Sequence, residues 1–137
     1  MANDEILARI DAEWHRFLPS LDGMTEEQAS QSGVAGYYSV KDLLAHLAWW
    51  ENQTREVVES GEDQEFDVET LNDQIFAEYK DVSFAELKQQ MLEGHARAVE
   101  TFAQAPNLTE DDVESDTWEH YQEHGDQIRA WRAANGI

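Results

Sequence analysis

Cysteine is absent from the sequence, and basic residues are few. Without cysteine, the chain cannot form disulfide bonds, use a thiolate in catalysis or build a cysteine-based zinc site. Its nine Lys and Arg residues are outnumbered by thirty Asp and Glu residues, which gives a net charge of −21. A surface this negative repels phosphate backbones and anionic lipid headgroups, so neither nucleic acid nor a membrane is an expected partner. Adaptation to high salt is one explanation of this acidity.

Long apolar runs are missing as well. No stretch approaches the ~20 apolar residues that a membrane-spanning helix needs. The first residues, Met-Ala-Asn-Asp-Glu, are acidic where a secretory signal would be basic, so a cytoplasmic location is expected. With 41% hydrophobic residues, five of them Trp, the 137-residue chain can bury a core and is expected to fold as one domain, residues 1–137.

Strand-like alternation is absent, and the apolar residues recur instead at helical spacing. This periodicity predicts four long helices, over residues 4–18, 39–60, 83–105 and 115–134, with Asn3 as the N-cap of the first. Residues 68–80 are predicted to form either a fifth, shorter helix or an early part of the third. Helices of this length joined by short to medium connections favour an all-α fold, a four-helix bundle with an extra short helix.

Two of the five histidines, His120 and His124, lie four residues apart in the last predicted helix. At that spacing both imidazoles project from one face, where they can bind a divalent metal such as zinc, nickel, copper or iron. His46 lies within the apolar stripe of the second predicted helix and can supply a third ligand from a facing helix. Three His ligands with an open position form a catalytic arrangement, because water or substrate can complete the coordination.

Other interpretations of these histidines remain open. A single His on an apolar face is more often a core residue with a hydrogen-bond partner, and His46 alone would be read in that way. His95 could be buried, line a cavity or act as a fourth ligand. A metal-bound His usually donates its second N–H to a carboxylate or a carbonyl, and the candidate carboxylates are Glu51, Asp116, Glu119 and Glu123.

Two stretches resemble signatures of the DinB-like superfamily. Residues 38–51, YSVKDLLAHLAWWE, resemble the signature of its second helix, and residues 120–128, HYQEHGDQI, resemble that of its last helix. Within the superfamily, residues 117–124, TWEHYQEH, are most similar to the DfsB/ClbS branch. The resemblance extends from about residue 4 to residue 132, although the segment between Pro106 and Thr117 is short for that branch.

The resemblance implies a four-helix bundle, often dimeric, with a divalent metal that is commonly zinc or nickel. In the superfamily, one His on the second helix and two on the last helix hold the metal. These positions correspond here to His46, His120 and His124. Relatives include thiol-dependent transferases and isomerases, and the DfsB/ClbS branch includes hydrolases that inactivate a reactive toxin. A small-molecule substrate and a role in detoxification or stress response are therefore expected, and a homodimer is compatible with the family.

Three functions follow from these observations, and whether the protein is an enzyme stays open. The first is metal-dependent hydrolysis or group transfer on a small electrophile, beside a pocket lined by Tyr38, Trp50 and His95. The second is metal-independent hydrolysis of a reactive toxin, with the same histidines as acid, base or pocket walls. The third is a non-catalytic binding or stress protein whose histidines belong to the core. The carboxylates are too numerous for a catalytic residue to be chosen among them.

Overall fold

A computed structural model describes residues 2–137, which contain seven α-helices and two short 3-10 segments. The α-helices are α1 (Ala2–Phe17), α2 (Glu26–Ala29), α3 (Val40–Ser60), α4 (Val68–Tyr79), α5 (Phe84–Gln104), α6 (Glu110–Val113) and α7 (Trp118–Asn135). The 3-10 segments are Leu18–Leu21 and Glu114–Asp116. Among these residues, none of the helices combines the length and apolarity needed to cross a membrane.

The four long helices form a closed bundle. Helix α3 packs against α5, α5 against α1, α1 against α7, and α7 against α3, while α4 lies on the outside of α3. The core takes residues from all four long helices, including Ile10, Leu44, Phe102 and Ile128, which are fully buried. The predicted all-α four-helix bundle with an extra short helix is thereby confirmed, and residues 68–80 are a separate helix.

The start of α3 is defined by a reciprocal cap. The Ser39 backbone N–H donates to Asp42 Oδ2 over 2.8 Å, and the Asp42 N–H donates to Ser39 Oγ over 3.2 Å. Such a capping box satisfies two of the backbone donors that a helix N-terminus otherwise leaves unpaired. Gly61 ends the helix in the left-handed region, with φ of 76°, where glycine has no Cβ to clash. This register turns Leu43, Leu44 and Leu47 into the core.

Two helix boundaries differ from the prediction for identifiable reasons. Asn3 is not the N-cap of α1, because the helix already includes Ala2. The Asn3 side chain instead donates to the backbone oxygens of Phe102 and Ala105 at the end of α5, over 3.2 and 2.7 Å. Helix α7 begins at Trp118 rather than residue 115, because residues 114–116 form a 3-10 segment. At α1 a contact distant in sequence overrides the local capping propensity, and at α7 a tighter 3-10 turn does so.

Replacing Leu44 by Ala should destabilise the bundle strongly, since the side chain is completely buried and its loss leaves a cavity between helices. We expect the free energy of unfolding to fall by about 2–5 kcal/mol, measured by urea denaturation followed by circular dichroism. Val68→Ala is the control, because Val68 is 54% exposed, and its effect should stay within about 0.5 kcal/mol. Equal effects of the two substitutions would contradict the described core.

Candidate metal centre

Three histidines from two helices meet on one side of the bundle. His46 comes from α3, and His120 and His124 come from successive turns of α7. One ring nitrogen of each lies within 4.8 Å of the others, and His46 Nε2 is 3.1 Å from His120 Nε2. The structure thus brings together the three residues that helical spacing and the family resemblance had nominated.

Amide oxygens orient two of these rings. His46 Nδ1 lies 3.2 Å from Asn72 Oδ1, and His124 Nδ1 lies 2.7 Å from Gln127 Oε1. An amide oxygen accepts hydrogen bonds, so a ring that faces one with Nδ1 carries its proton there and keeps the lone pair on Nε2. This is the arrangement found for metal-bound histidines, whose outer nitrogen donates to an oxygen of a neighbouring group.

The third ring, that of His120, faces a carboxylate. His120 Nδ1 is 3.8 Å from Asp116 Oδ1, which is beyond hydrogen-bond distance, and Asp116 Oδ2 accepts a 2.7 Å hydrogen bond from Thr54 Oγ1. Burial raises the pKa of Asp116, while the bond from Thr54 lowers it. Four carboxylates were considered from the sequence, and Asp116 is the one with a contact to the three-His group. Glu119 and Glu123 are exposed, and Glu51 lies against His95.

The donor set fits a divalent metal. Among the described residues, His120 Nδ1 and His124 Nε2 are buried side-chain atoms that lack a hydrogen-bond partner. A buried ring nitrogen without a partner costs about 1–3 kcal/mol, and for His124 Nε2 a metal ion would remove that cost. Two nitrogens bound to one tetrahedral zinc lie roughly 3.3 Å apart, close to the 3.1 Å between His46 and His120. The group offers three candidate side-chain ligands, so a four-coordinate ion held here would have one position left for a further ligand.

Both paired imidazoles are in the neutral form that binds metals. Burial, followed by repulsion from His124, lowers the pKa of His46 to about 4, although the bond to Asn72 opposes the shift. Burial, followed by His46 and then His124, lowers the pKa of His120 to about 3. At pH 7 these rings therefore do not have to lose a proton before they can coordinate a metal.

Aromatic residues surround the His46–Asn72 pair. The Tyr38 and His46 rings are stacked, with their centroids 6.4 Å apart. Trp50 Nε1 donates over 2.8 Å to Asn72 Oδ1, the oxygen that also lies beside His46. Phe76 contacts Tyr38 at 5.4 Å, and Phe66 contacts Trp50 at 5.9 Å. We call these four residues, Tyr38, Trp50, Phe66 and Phe76, the aromatic rim. Two predicted pocket residues, Tyr38 and Trp50, belong to it.

His95 belongs to a different, buried network. Its ring stacks on Trp14 at 3.8 Å with an angle of 8°, and its Nδ1 lies 3.1 Å from Glu51 Oε2. The Tyr121 hydroxyl donates to the same Glu51 oxygen, and burial, followed by the Glu51 charge, raises the pKa of Tyr121 well above its usual value. The predicted pocket residue His95 is thus held in the core, outside the three-His group.

Sequence reasoning missed the two amide residues. Gln127 could have been found, because it follows His124 by three residues and so shares its helix face. Asn72 could not, since it lies on another helix, 26 residues from His46, and no periodicity relates the two.

The metal-free protein should lose stability as the pH falls below about 6.5. In the unfolded chain His46 and His120 titrate near 6.5, whereas in the native protein their pKa values are about 4 and about 3. Between these limits the unfolded chain binds more protons, so acid favours unfolding. Urea denaturation with a chelator at pH 7.5 and pH 5 should show a smaller pH effect for His120→Gln than for the natural protein.

The control for this prediction is Ile128→Val, which removes one buried methylene from α7 and no titrating group. It should lower stability at both pH values and keep the pH dependence of the natural protein. An unchanged pH dependence in His120→Gln would show that His120 does not titrate with folding.

A solved structure with the same architecture exists. The crystal structure of an uncharacterised protein from Escherichia coli UTI89 superposes with a TM-score of 0.83 at 18% sequence identity, and the match covers 99% of this chain and 95% of the other. At that identity the likeness shows the shared fold alone. No functionally curated protein matches the sequence significantly.

The sequence profile of the DinB superfamily matches residues 9–135. The matched region includes α3 and α7, and with them His46, His120 and His124. The chain therefore belongs to the DinB superfamily.

Proposed function

We propose that this protein is a DfsB-like, metal-dependent enzyme that carries out hydrolysis or group transfer on a small electrophilic molecule. His46, His120 and His124 would hold one divalent ion, zinc or nickel. The observation that carries the proposal is the arrangement of the three rings, with outer nitrogens at polar neighbours and inner nitrogens turned toward one another. Side chains buried only for packing have no reason to converge in this way.

When bound, a divalent metal at such a centre supplies a Lewis acid that polarises a substrate oxygen or lowers the pKa of a bound water. The chain itself contributes orientation and surroundings. Asn72 and Gln127 fix the direction of two ligands, and Asp116 lies near the outer nitrogen of the third. The aromatic rim would offer apolar surface to a substrate beside His46.

Composition narrows the chemistry further. The chain has no cysteine, so a thiol nucleophile would have to come from a second substrate. Its net charge of −21 disfavours anionic substrates and leaves neutral electrophiles as the better fit. The resemblance to the DfsB/ClbS branch supports a role in detoxification or stress response. A cytoplasmic location and a homodimer are further parts of this proposal.

One distance favours a second candidate function, metal-independent hydrolysis of a reactive toxin. The 3.1 Å between His46 Nε2 and His120 Nε2 is also hydrogen-bond distance. Two neutral imidazoles at this distance form a donor–acceptor pair in which one ring can take a proton and the other can give one. The two candidates share the same residues and differ in their need for metal.

Metal binding is the first test. Untagged protein stripped with chelator should bind one equivalent of zinc or nickel at pH 7.5 in calorimetric titration. His124→Ala should weaken binding by more than about 100-fold, since losing a ligand exceeds the effect of losing its outer partner. His15→Ala is the control, because the His15 side chain is 66% exposed on α1. Absence of binding by the natural protein, or unchanged binding by His124→Ala, would refute the metal centre.

Turnover of an activated ester, used as a test electrophile, distinguishes the two enzymatic candidates. For the metal-dependent enzyme, chelator should abolish hydrolysis and added zinc should restore it. His46→Ala should then lower the rate even with zinc present, because one ligand is missing. Activity that resists chelator but is lost in His46→Ala would instead assign the chemistry to the imidazole pair.

A further inference from the structure

A single oxygen on α4 joins two residues of α3. Asn72 Oδ1 accepts hydrogen bonds from Trp50 Nε1 over 2.8 Å and from His46 Nδ1 over 3.2 Å. His46 and Trp50 are four residues apart, so they stand one above the other on α3, facing Asn72. An amide oxygen has two lone pairs, and these two bonds use both.

The indole decides which way the Asn72 amide points. An indole nitrogen is a donor only, so it requires an acceptor, and the amide must present its oxygen rather than its NH₂ group. Once the oxygen faces α3, the neighbouring His46 Nδ1 must donate to it. The proton of the neutral imidazole is then on Nδ1, and Nε2 carries the lone pair.

Among the described residues, the tautomers of His120 and His124 are not fixed by a donor-only group in this way. His120 Nδ1 has no hydrogen-bond partner. His124 Nδ1 contacts only Gln127, whose amide could present either its oxygen or its nitrogen to the ring. His46 is thus the ligand whose tautomer is determined by a group that cannot change its own role.

We propose that Trp50 and Asn72 are positioning residues that fix His46 in its Nδ1–H tautomer and so keep the Nε2 lone pair directed at the metal centre. The inference rests on the proposed function for its purpose, but the tautomer is a property of the metal-free protein. Without the indole N–H, the amide is free to turn, present its NH₂ group to Nδ1 and move the ring proton to Nε2. A proton on Nε2 occupies the direction in which the metal binds.

Nitrogen NMR of the imidazole rings in the metal-free protein tests the tautomer directly. At pH 7.5, two-bond proton–nitrogen correlations should show a protonated Nδ1 and an unprotonated Nε2 for His46. Trp50→Phe removes the N–H and keeps an aromatic ring, and it should shift His46 toward the Nε2–H form. A natural protein with the proton on Nε2 of His46 would overturn the proposal.

Zinc affinity supplies a second readout and a rescue. Trp50→Phe and Asn72→Ala should each weaken zinc binding about 10- to 100-fold in competition with a chromogenic chelator, the range typical for loss of a ligand's outer partner. Asp at position 72 accepts hydrogen bonds but cannot donate them, so it needs no indole to set its direction. The double variant Trp50→Phe with Asn72→Asp should therefore regain the Nδ1–H tautomer and most of the affinity.

Trp49→Phe is the matched control. Its ring packs against Trp50 and Phe66, but the indole that bonds Asn72 is that of Trp50. The Trp49→Phe variant should therefore keep the natural His46 tautomer and the natural zinc affinity. Any loss of thermal stability should be similar to that of Trp50→Phe. The proposed role of Trp50 and Asn72 would be refuted if Trp49→Phe and Trp50→Phe weakened zinc binding equally. It would also be refuted if the double variant did not recover zinc affinity. Absence of both zinc and nickel binding by the natural protein would refute the proposed metal centre and leave the NMR test standing.

Discussion

The meeting of imidazoles between α3 and α7 is the constraint on which the site depends. Burying polar rings between helices is unfavourable unless their nitrogens find partners. His46 has a partner at each ring nitrogen, Asn72 and His120. Within the described part of the chain, His124 Nε2 and His120 Nδ1 have no partner. Burying these nitrogens without partners costs free energy of folding, and apolar side chains at the same positions would avoid that cost. Local violations of the packing rules of this kind are characteristic of functional sites.

His95 offers a comparison with the three-His group within the same chain. His95 is as buried as His124, each being 8% exposed. Its surroundings are nevertheless those of a structural histidine, with a stacked Trp14 ring and a Glu51 carboxylate at 3.1 Å. If His46, His120 and His124 were also core residues, similar partners would be expected for them. Their inner nitrogens meet one another instead, which distinguishes this group from His95.

Features encoded locally were predictable, and those created by tertiary packing were not. The apolar period predicted α3 closely, and the four-residue spacing of His120 and His124 placed both on one face of α7. The role of Asn3 was wrong, because its side chain bonds to the end of α5, 99 and 102 residues away. The orientation of His95 could not be decided, since a residue at the edge of an apolar stripe can turn to either side. Asn72 carries no local signal at all.

The three histidines and the aromatic rim come from different parts of the fold. The three candidate ligands lie on α3 and α7, two walls of the bundle, and cannot move without disturbing its core. The aromatic rim comes mostly from elsewhere: Tyr38 precedes α3, Phe66 precedes α4, and Phe76 lies on α4. Connections and peripheral helices tolerate change better than a packed core. For the proposed function, substitutions in the rim would thus change the surroundings of the three histidines and leave their arrangement in place, and a shared fold alone does not determine a reaction.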